Sequence, residues 1–342
     1  MKAVTIAGRR VGIGAPPLIV AEAGINHNGK LELAKELVTA AAKAGADVVK
    51  FQTHFPEFEM LRDQTGADYI GGSFFELLER SKLSHEEHAV LKELAKKEGI
   101  LFLSTPFSRE AADFLETLEV PAFKVGSGEL TNIPLLLHIA RKGKPMILST
   151  GMSELEEIDE TLRAIRPVND QLILMQCTST YPTPYENVNL GVIELLREKF
   201  DLPTGLSDHS EGIYTALAAV ALGACVLEKH FTIDKDLPGP DQKASIEPKE
   251  LAELVKGARA VYKASGRSKK VVKGEIPVQE MARESVVTLE PIVTGSRITP
   301  TSVWVKRPGT GIPAKLLDQV IGKRVCRTIE ANSLIQWSDL ED

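Results

Sequence analysis

The stretch LIVAEAGINHNGKLELAKELVTAAAKAGADVVKFQ, residues 18–52, holds a strand, a helix and a second strand in one pass. Leu18 to Ala23 is an apolar run of strand length. Behind it Leu33, Ala34, Leu37, Val38 and Ala41 recur at steps of three and four, the spacing that lays one apolar stripe of a helix against a sheet. Gly45 stands where such a helix needs a left-handed residue to stop. Val48 to Gln52 is the next apolar run, and the unit is complete.

Outward from this unit the pattern repeats. Further runs lie at Ile100 to Ser104, Ala122 to Gly126, Met146 to Thr150, Leu172 to Cys177, Pro203 to Ser207 and Val226 to Phe231, which brings the count to eight. Helix signals separate them. Ser84 with Glu87 and Ser153 with Glu156 read as capping boxes, Gly99 and Gly223 as stops, and Pro248 to Ala264 as a final helix. Buried strands alternating with amphipathic helices imply a parallel sheet, and eight such units close into an α/β fold of the (β/α)8 TIM barrel kind. An open doubly wound sheet ranks lower, because Gly24, Gly29 and Asn26-His27-Asn28 do not spell the GxGxxG dinucleotide fingerprint.

The flanks fit one large domain and one small one. Met1 to Ala15 reads as a hairpin rather than a signal peptide or membrane span. Thr53 to Lys82 is a loop of the length that serves barrels as a lid or substrate wall. We expect the barrel over 1–270, a polar linker over 271–282, and a β-rich domain over 283–342 with short strands at Ser285 to Leu289, Ser302 to Val305 and Gly322 to Thr328. A net charge of -6 argues against nucleic acid as a partner, and neither it nor the N-terminus points to a membrane. Cys177, Cys225 and Cys326 make an odd count without CxxC spacing, which suits free thiols and a cytoplasmic location.

Barrel chemistry sits at the C-terminal ends of the strands. The residues there are Glu22, Lys50, Gln52, Ser104, Thr105, Lys124, Ser127, Glu129, Ser149, Thr150, Tyr181, Ser207, Asp208, His209, Glu228 and His230. Lys50 with Gln52, and Glu228 with His230, lie two apart and so project to one side. A buried lysine has to be paired or to bind an anion. Singly, Lys50 and Lys124 read as salt-bridge partners of Glu22, Glu129 or Glu228; together, with hydroxyls from Thr105, Ser127, Ser149 and Ser207, they read as a site for a phosphate beside a carboxylate. His209 and His230 end adjacent strands and are either a structural pair or two ligands of one metal ion. His27 shapes the first loop, whereas His54, His85, His88 and His138 have no assignable partner.

Taken in order, IVAEAGINHNG (Ile19 to Gly29), KFQT (Lys50 to Thr53), STPFS (Ser104 to Ser108), KVGSGE (Lys124 to Glu129), LSTGM (Leu148 to Met152), LSDHS (Leu206 to Ser210) and EKHFT (Glu228 to Thr232) resemble the sialic acid synthase family. KRPGTGI, Lys306 to Ile312, is similar to that family's antifreeze-like domain. The resemblance implies a condensation of phosphoenolpyruvate with an N-acyl hexose such as N-acetylmannosamine, giving a 2-keto acid and phosphate. It implies Lys50, Thr105, Lys124, Ser127, Ser149 and Ser207 around phosphoenolpyruvate, and Gln52, Tyr181, Asp241 and Arg307 on the sugar. Glu22, Glu129 and Glu228 are the implied catalytic carboxylates, with Glu228 orienting His230 or a water.

A divalent ion on His209 and His230 is implied too; manganese suits imidazole with oxygen ligands better than magnesium, and magnesium and cobalt are the other options. The family resemblance further implies a homodimer in which the small domain, with Arg307, reaches the partner's barrel. Gly71 and Ser179 stand where several N-acetylneuraminate-forming members carry asparagines, so a diacetamido-trideoxy hexose or a 6-phosphorylated sugar are alternative substrates. Two rival readings are a Schiff-base aldolase acting through Lys50 or Lys124 and a non-catalytic sugar-binding scaffold.

Overall fold

A computed structural model describes residues 3–62 and 73–341. Contacts divide the chain into two compact units, Met1–Gly266 and Arg267–Asp342. The first opens with an antiparallel hairpin, β1 (Val4–Ile6) and β2 (Arg9–Val11). Eight strands follow: β3 (Leu18–Gly24), β4 (Val48–Thr53), β5 (Leu101–Pro106), β6 (Phe123–Val125), β7 (Met146–Ser149), β8 (Leu172–Cys177), β9 (Thr204–Asp208) and β10 (Val226–His230). They form one parallel sheet in the order β5-β4-β3-β10-β9-β8-β7-β6, and β5 packs beside β6 to close it into a TIM barrel. At least one helix follows every strand.

The period of two along each strand divides this barrel into three regions. Ile19, Ala21, Val49, Phe51, Phe123, Leu148, Leu174, Leu206 and Leu227 face outward and pack on the helices. Leu18, Val20, Val48, Leu103, Ala122, Ile147, Ile173, Met175 and Val226 face inward, where Val4, Ile6 and Val11 of the hairpin join them. The inward positions further along the same strands are Glu22, Lys50, Thr105, Lys124, Ser149, Cys177, Ser207, Glu228 and His230. One end of the cylinder is therefore a sealed apolar plug, and the other is polar.

Helix signals held with one correction. Ser84 and Glu87 form the expected capping box, and Gly45, Gly99 and Gly223 all adopt positive φ. The helix expected to start on Ser153 and Glu156 instead runs Leu155–Ile165, with the Glu157 carboxylate accepting from the Glu154 amide at 2.9 Å. Here the cap sits one residue later than the sequence motif, because the loop from β7 runs on through Met152 at φ 60°. The long loop after β4 contains two short helices, Pro56–Glu59 and Phe74–Ser81. Gly71 lies outside the described residues.

The second unit includes the helix Ile276–Ala282, within the segment expected to be a linker. Two antiparallel pairs follow, β11 (Ser285–Thr288) with β12 (Val303–Lys306) and β13 (Arg324–Val325) with β14 (Leu340–Glu341). Val286, Ile292, Ile298, Val303, Ile312, Val320, Val325, Ile329 and Ile335 make its own core. Among the described residues no helix is long and apolar enough to cross a membrane.

Gly205 marks how tightly the plug is filled. A Cβ there would lie 2.5 Å from the Val226 carbonyl oxygen and 2.6 Å from the Met175 sulfur. Gly205→Ala should therefore cost about 1–3 kcal/mol, since strand backbone has to move. Gly191→Ala, where nothing lies within 4 Å, is the control. Thermal unfolding followed by circular dichroism should show a lowered midpoint for the first variant alone; equal midpoints would mean that the inner layer is looser than described.

Candidate active site

Glu22, Lys50, Gln52, Thr105, Lys124, Ser127, Glu129, Ser149, Tyr181, Ser207, His209, Glu228, His230 and Asp241 all line one cavity of about 360 Å3 at the polar end of the barrel. That volume lies within the range that holds small substrates. Parallel register brings these residues level: Glu22 pairs with Lys50, Gln52 with Thr105, Glu228 with Ser207 and His230 with Glu22.

Two buried ammonium groups dominate the floor. Lys50 and Lys124 are only 2% and 3% exposed. Lys50 Nζ lies 2.7 Å from Glu22 Oε2, donates to Thr105 Oγ1 at 2.9 Å, and lies 3.9 Å from Glu228 Oε1. Lys124 Nζ donates to Ser149 Oγ at 2.7 Å and to the Val125 carbonyl at 3.1 Å, and Glu228 Oε1 is 3.5 Å away. Ser207 Oγ donates to the same Glu228 oxygen at 3.1 Å. Burial alone would raise Glu228, but Lys124 and Lys50 outweigh it and hold this carboxyl below its ordinary value. Glu228 Oε1 faces Lys124 of β6, four strands away, and Lys50 of β4, two strands away, and the hydrogen bonds among the described residues include none between Glu228 and His230.

The other two carboxylates behave differently. Burial pushes Glu22 up to about 7, against the pull of Lys50 and with help from Glu228. Burial also pushes Glu129 up to about 7, outweighing its own backbone hydrogen bond and Lys124. Glu129 follows β6 in the short helix Ser127–Glu129, and its Oε2 is buried without a hydrogen-bond partner. Asp241 is raised to about 6 by burial despite His209, His54 and Lys50. Near neutral pH, then, two lysine charges face one fully ionised carboxylate and others that are partly protonated, and the floor favours an anion.

The histidine pair stands on the opposite wall. Their ring centroids are 5.3 Å apart, and Tyr181 stacks on His209 at 4.1 Å. His209 Nδ1 donates to the Thr178 carbonyl at 2.9 Å, which leaves Nε2 as the nitrogen that can accept or ligate. Burial pulls His209 down, yet the Cys177 thiol, the Thr178 carbonyl and Glu228 hold it above its ordinary value. His230 is pushed well below it by burial, then by His209 and the lysines, so it is a neutral imidazole. Its Nδ1 is buried without a hydrogen-bond partner, 3.7 Å from Asp241 Oδ2. Among the described residues no group of three or more His, Cys, Asp and Glu side chains is placed to hold a metal.

Residues outside the cavity hold this wall in place. Asp208 and Lys229, 3.1 Å apart and each 1% exposed at the side chain, face away from the barrel axis. Asp208 also accepts from the Ser210 amide at 2.9 Å and from Thr215 Oγ1 at 2.6 Å, which fixes the turn that carries His209. Sequence reasoning named Asp208 without a role and passed over Lys229. Their positions, one residue off the inward set on adjacent strands, were the available signal. Asn26 Nδ2 donates to the Phe231 carbonyl and to Ser245 Oγ, both at 2.9 Å, tying the first loop to the loop that bears Asp241. His27 Nδ1 accepts from the Gly29 amide at 3.1 Å, in keeping with a loop-shaping role, and burial lowers its pKa to about 3. Ser179 and Cys177 also line the cavity. Arg307 belongs to the second unit, where it follows β12 and is exposed.

The NeuB family model matches residues 37–270, and the SAF domain model matches 283–341. The chain is 41% identical to the N,N'-diacetyllegionaminic acid synthase of Legionella pneumophila, over 94% of each protein. It is 38% identical to the N-acetylneuraminate-9-phosphate synthase of Homo sapiens, over 96% of this chain and 94% of that one. Among solved structures, the N-acetylneuraminic acid synthetase of Leptospira borgpetersenii in complex with citrate matches with a TM-score of 0.74 at 35% identity, over 81% of this chain and 95% of that one. Family model, relatives and barrel site all coincide, and the chain belongs to the NeuB family of sialic acid synthases as an enzyme of that type.

Proposed function

We propose that this enzyme condenses phosphoenolpyruvate with an N-acyl hexose, N-acetylmannosamine in the first instance, and with water, to give an N-acetylneuraminate-type 2-keto acid and phosphate. The observation that carries this reading is the pair of buried ammonium groups, Lys50 and Lys124, at the floor of a closed-ended barrel. With Thr105, Ser127, Ser149 and Ser207 they supply donors for a phosphate and a carboxylate at once. Both lysines are engaged with carboxylates, which supports anion binding over attack as a Schiff-base nucleophile.

In the proposed reaction C3 of the enol attacks the aldehyde carbon, water adds at C2, and phosphate leaves with its bridging oxygen as the C–O bond breaks. Glu129, with its unpartnered oxygen, takes the proton of the water. Glu22, which shares its pKa range, supplies a proton toward the sugar oxygen. Glu228 offsets the charge of both lysines. Gln52, Tyr181 and Asp241 face the sugar, and in a homodimer Arg307 of the partner subunit closes the site.

A divalent cation fits the second wall, because His230 is a neutral imidazole with an unpartnered nitrogen and His209 keeps Nε2 available. His209 and His230 would hold it, with water and substrate oxygens completing the shell; manganese is the proposed ion, and it would act as a Lewis acid toward the aldehyde oxygen. The named activities of the Legionella and human relatives make a diacetamido-trideoxy hexose or a 6-phosphorylated sugar the alternative substrates. Three unpaired cysteines suit work in the cytoplasm.

The test is phosphate release from phosphoenolpyruvate, scanned over N-acyl hexoses with and without manganese. Release that depends on one sugar supports the proposal, and no release with any sugar would refute it. The pH profile is a second prediction. Glu129 must be ionised to take a proton, so kcat should fall as pH drops through about 7; Glu22 must be protonated to give one, so kcat should fall again as pH rises past about 7. Glu129→Gln should lower kcat by roughly 100- to 10,000-fold and erase the acidic limb. An unchanged acidic limb in that variant would remove Glu129 from the role.

A further inference from the structure

We propose that His54 and Glu59 are positioning residues that fix the direction of the Gln52 amide, presenting its NH2 end to Glu22 and to the sugar side of the cavity. This rests on the proposed condensation for its kinetic consequence, though not for its geometry.

Lys50, Gln52 and His54 share one parity, and β4 ends at Thr53, so His54 continues the inward row just beyond the strand. The short helix Pro56–Glu59 then turns the chain back, and Glu59 folds over its own start: Oε1 accepts from the Phe55 amide, and Oε2 lies 2.8 Å from His54 Nδ1. His54 Nε2 lies 3.0 Å from Gln52 Oε1, and Gln52 Nε2 donates to Glu22 Oε1 at 3.0 Å. The other Glu22 oxygen meets Lys50. An unbroken chain of contacts thus runs Glu59, His54, Gln52, Glu22, Lys50. The His54 and Glu59 side chains are 5% and 4% exposed. Phe107, which also lines the cavity, stacks on the His54 ring at 4.2 Å and 14° and stops it from turning.

Donor chemistry gives this chain a direction. The two atoms facing the imidazole are a carboxylate oxygen and an amide carbonyl oxygen, and both accept, so the ring donates from each nitrogen. With its carbonyl held by His54, Gln52 can only offer NH2 to Glu22, and one of the two amide protons remains for a substrate hydroxyl. A ring with a bare Nε2 would instead attract the NH2 end and turn the carbonyl oxygen toward the Glu22 carboxylate.

The variant His54→Phe keeps a ring against Phe107 and removes both hydrogen bonds. In the full-length enzyme it should raise the sugar KM roughly tenfold, the effect of disordering one buried polar group, and leave the phosphoenolpyruvate KM where it is. In a Gln52→Ala background it should add nothing, because its effect passes through that amide. Additive losses, or an equal rise in both KM values, would overturn the assignment. Nitrogen-15 spectra of the unliganded wild type give a readout that needs no activity: both ring nitrogens of His54 should carry protons, and Glu59→Gln should leave one bare. A bare nitrogen in the wild type overturns the relay even if condensation is found. Protonation at both, with no phosphate release from any hexose, would sink the proposed reaction and leave the relay standing.

Discussion

Glu228 Oε1 sits 3.5 Å from one buried ammonium and 3.9 Å from another, and the arrangement of the active site follows from that arrangement of charge. Two lysines this deep need compensation, since an isolated buried charge costs several kcal/mol. Glu22 meets Lys50 at 2.7 Å, whereas the carboxylate that meets Lys124 is Glu228 at 3.5 Å, beside neutral oxygens from Ser149 and Val125. The charge of Lys124 is therefore the less closely matched of the two, and the proposed anionic substrate would match it. Glu228 is acted on by both lysines and accepts from Ser207, and it is held below its ordinary value, whereas burial outweighs the single lysine acting on Glu22 and on Glu129 and pushes each up to about 7.

A polar floor of this kind needs a rigid base. The hairpin residues Val4, Ile6 and Val11 fill one end of the cylinder, and the inward Leu, Ile and Val residues of the strands pack on them. Water is thereby kept from approaching the lysines from below, so access is confined to the mouth. Outside the barrel, the Asp208–Lys229 pair and the Asn26 clamp hold the loops that carry His209 and Asp241. The wall that carries the two histidines is thus braced by polar contacts outside the cavity.

Most of the barrel was legible because parallel strands covered on both faces read as continuous apolar runs, and the eight runs match the observed strands to within two residues. The site was legible for a related reason: polar residues at inward parity near strand ends have few structural explanations, and most of the strand-end candidates share one cavity with Asp241, which only the family resemblance named, while Ser104, Thr150 and Asp208 do not line it. What the sequence hid was which strands face each other across the barrel. Glu228 and His230 sit two apart on one strand, which suggested a pair, yet Lys124, four strands away in the sheet order, is the neighbour that Glu228 meets. His54 lacked a visible partner because its partner, Glu59, is brought back by a helix of only four residues. The cap at Glu154 is shifted by one residue for a comparable local reason, since glutamate stands in for Ser153 at the helix start.

The central claim is that Lys124 and Lys50 bind phosphoenolpyruvate as a charge-paired cradle, and calorimetric titration of phosphoenolpyruvate into the wild type and into Lys124→Met tests it most directly. The account predicts single-site binding to the wild type, displaced by inorganic phosphate and weakened by at least about thirtyfold in the variant, as expected for loss of one partner in a buried charged contact. Equal affinity in a variant whose circular dichroism matches the wild type would contradict it.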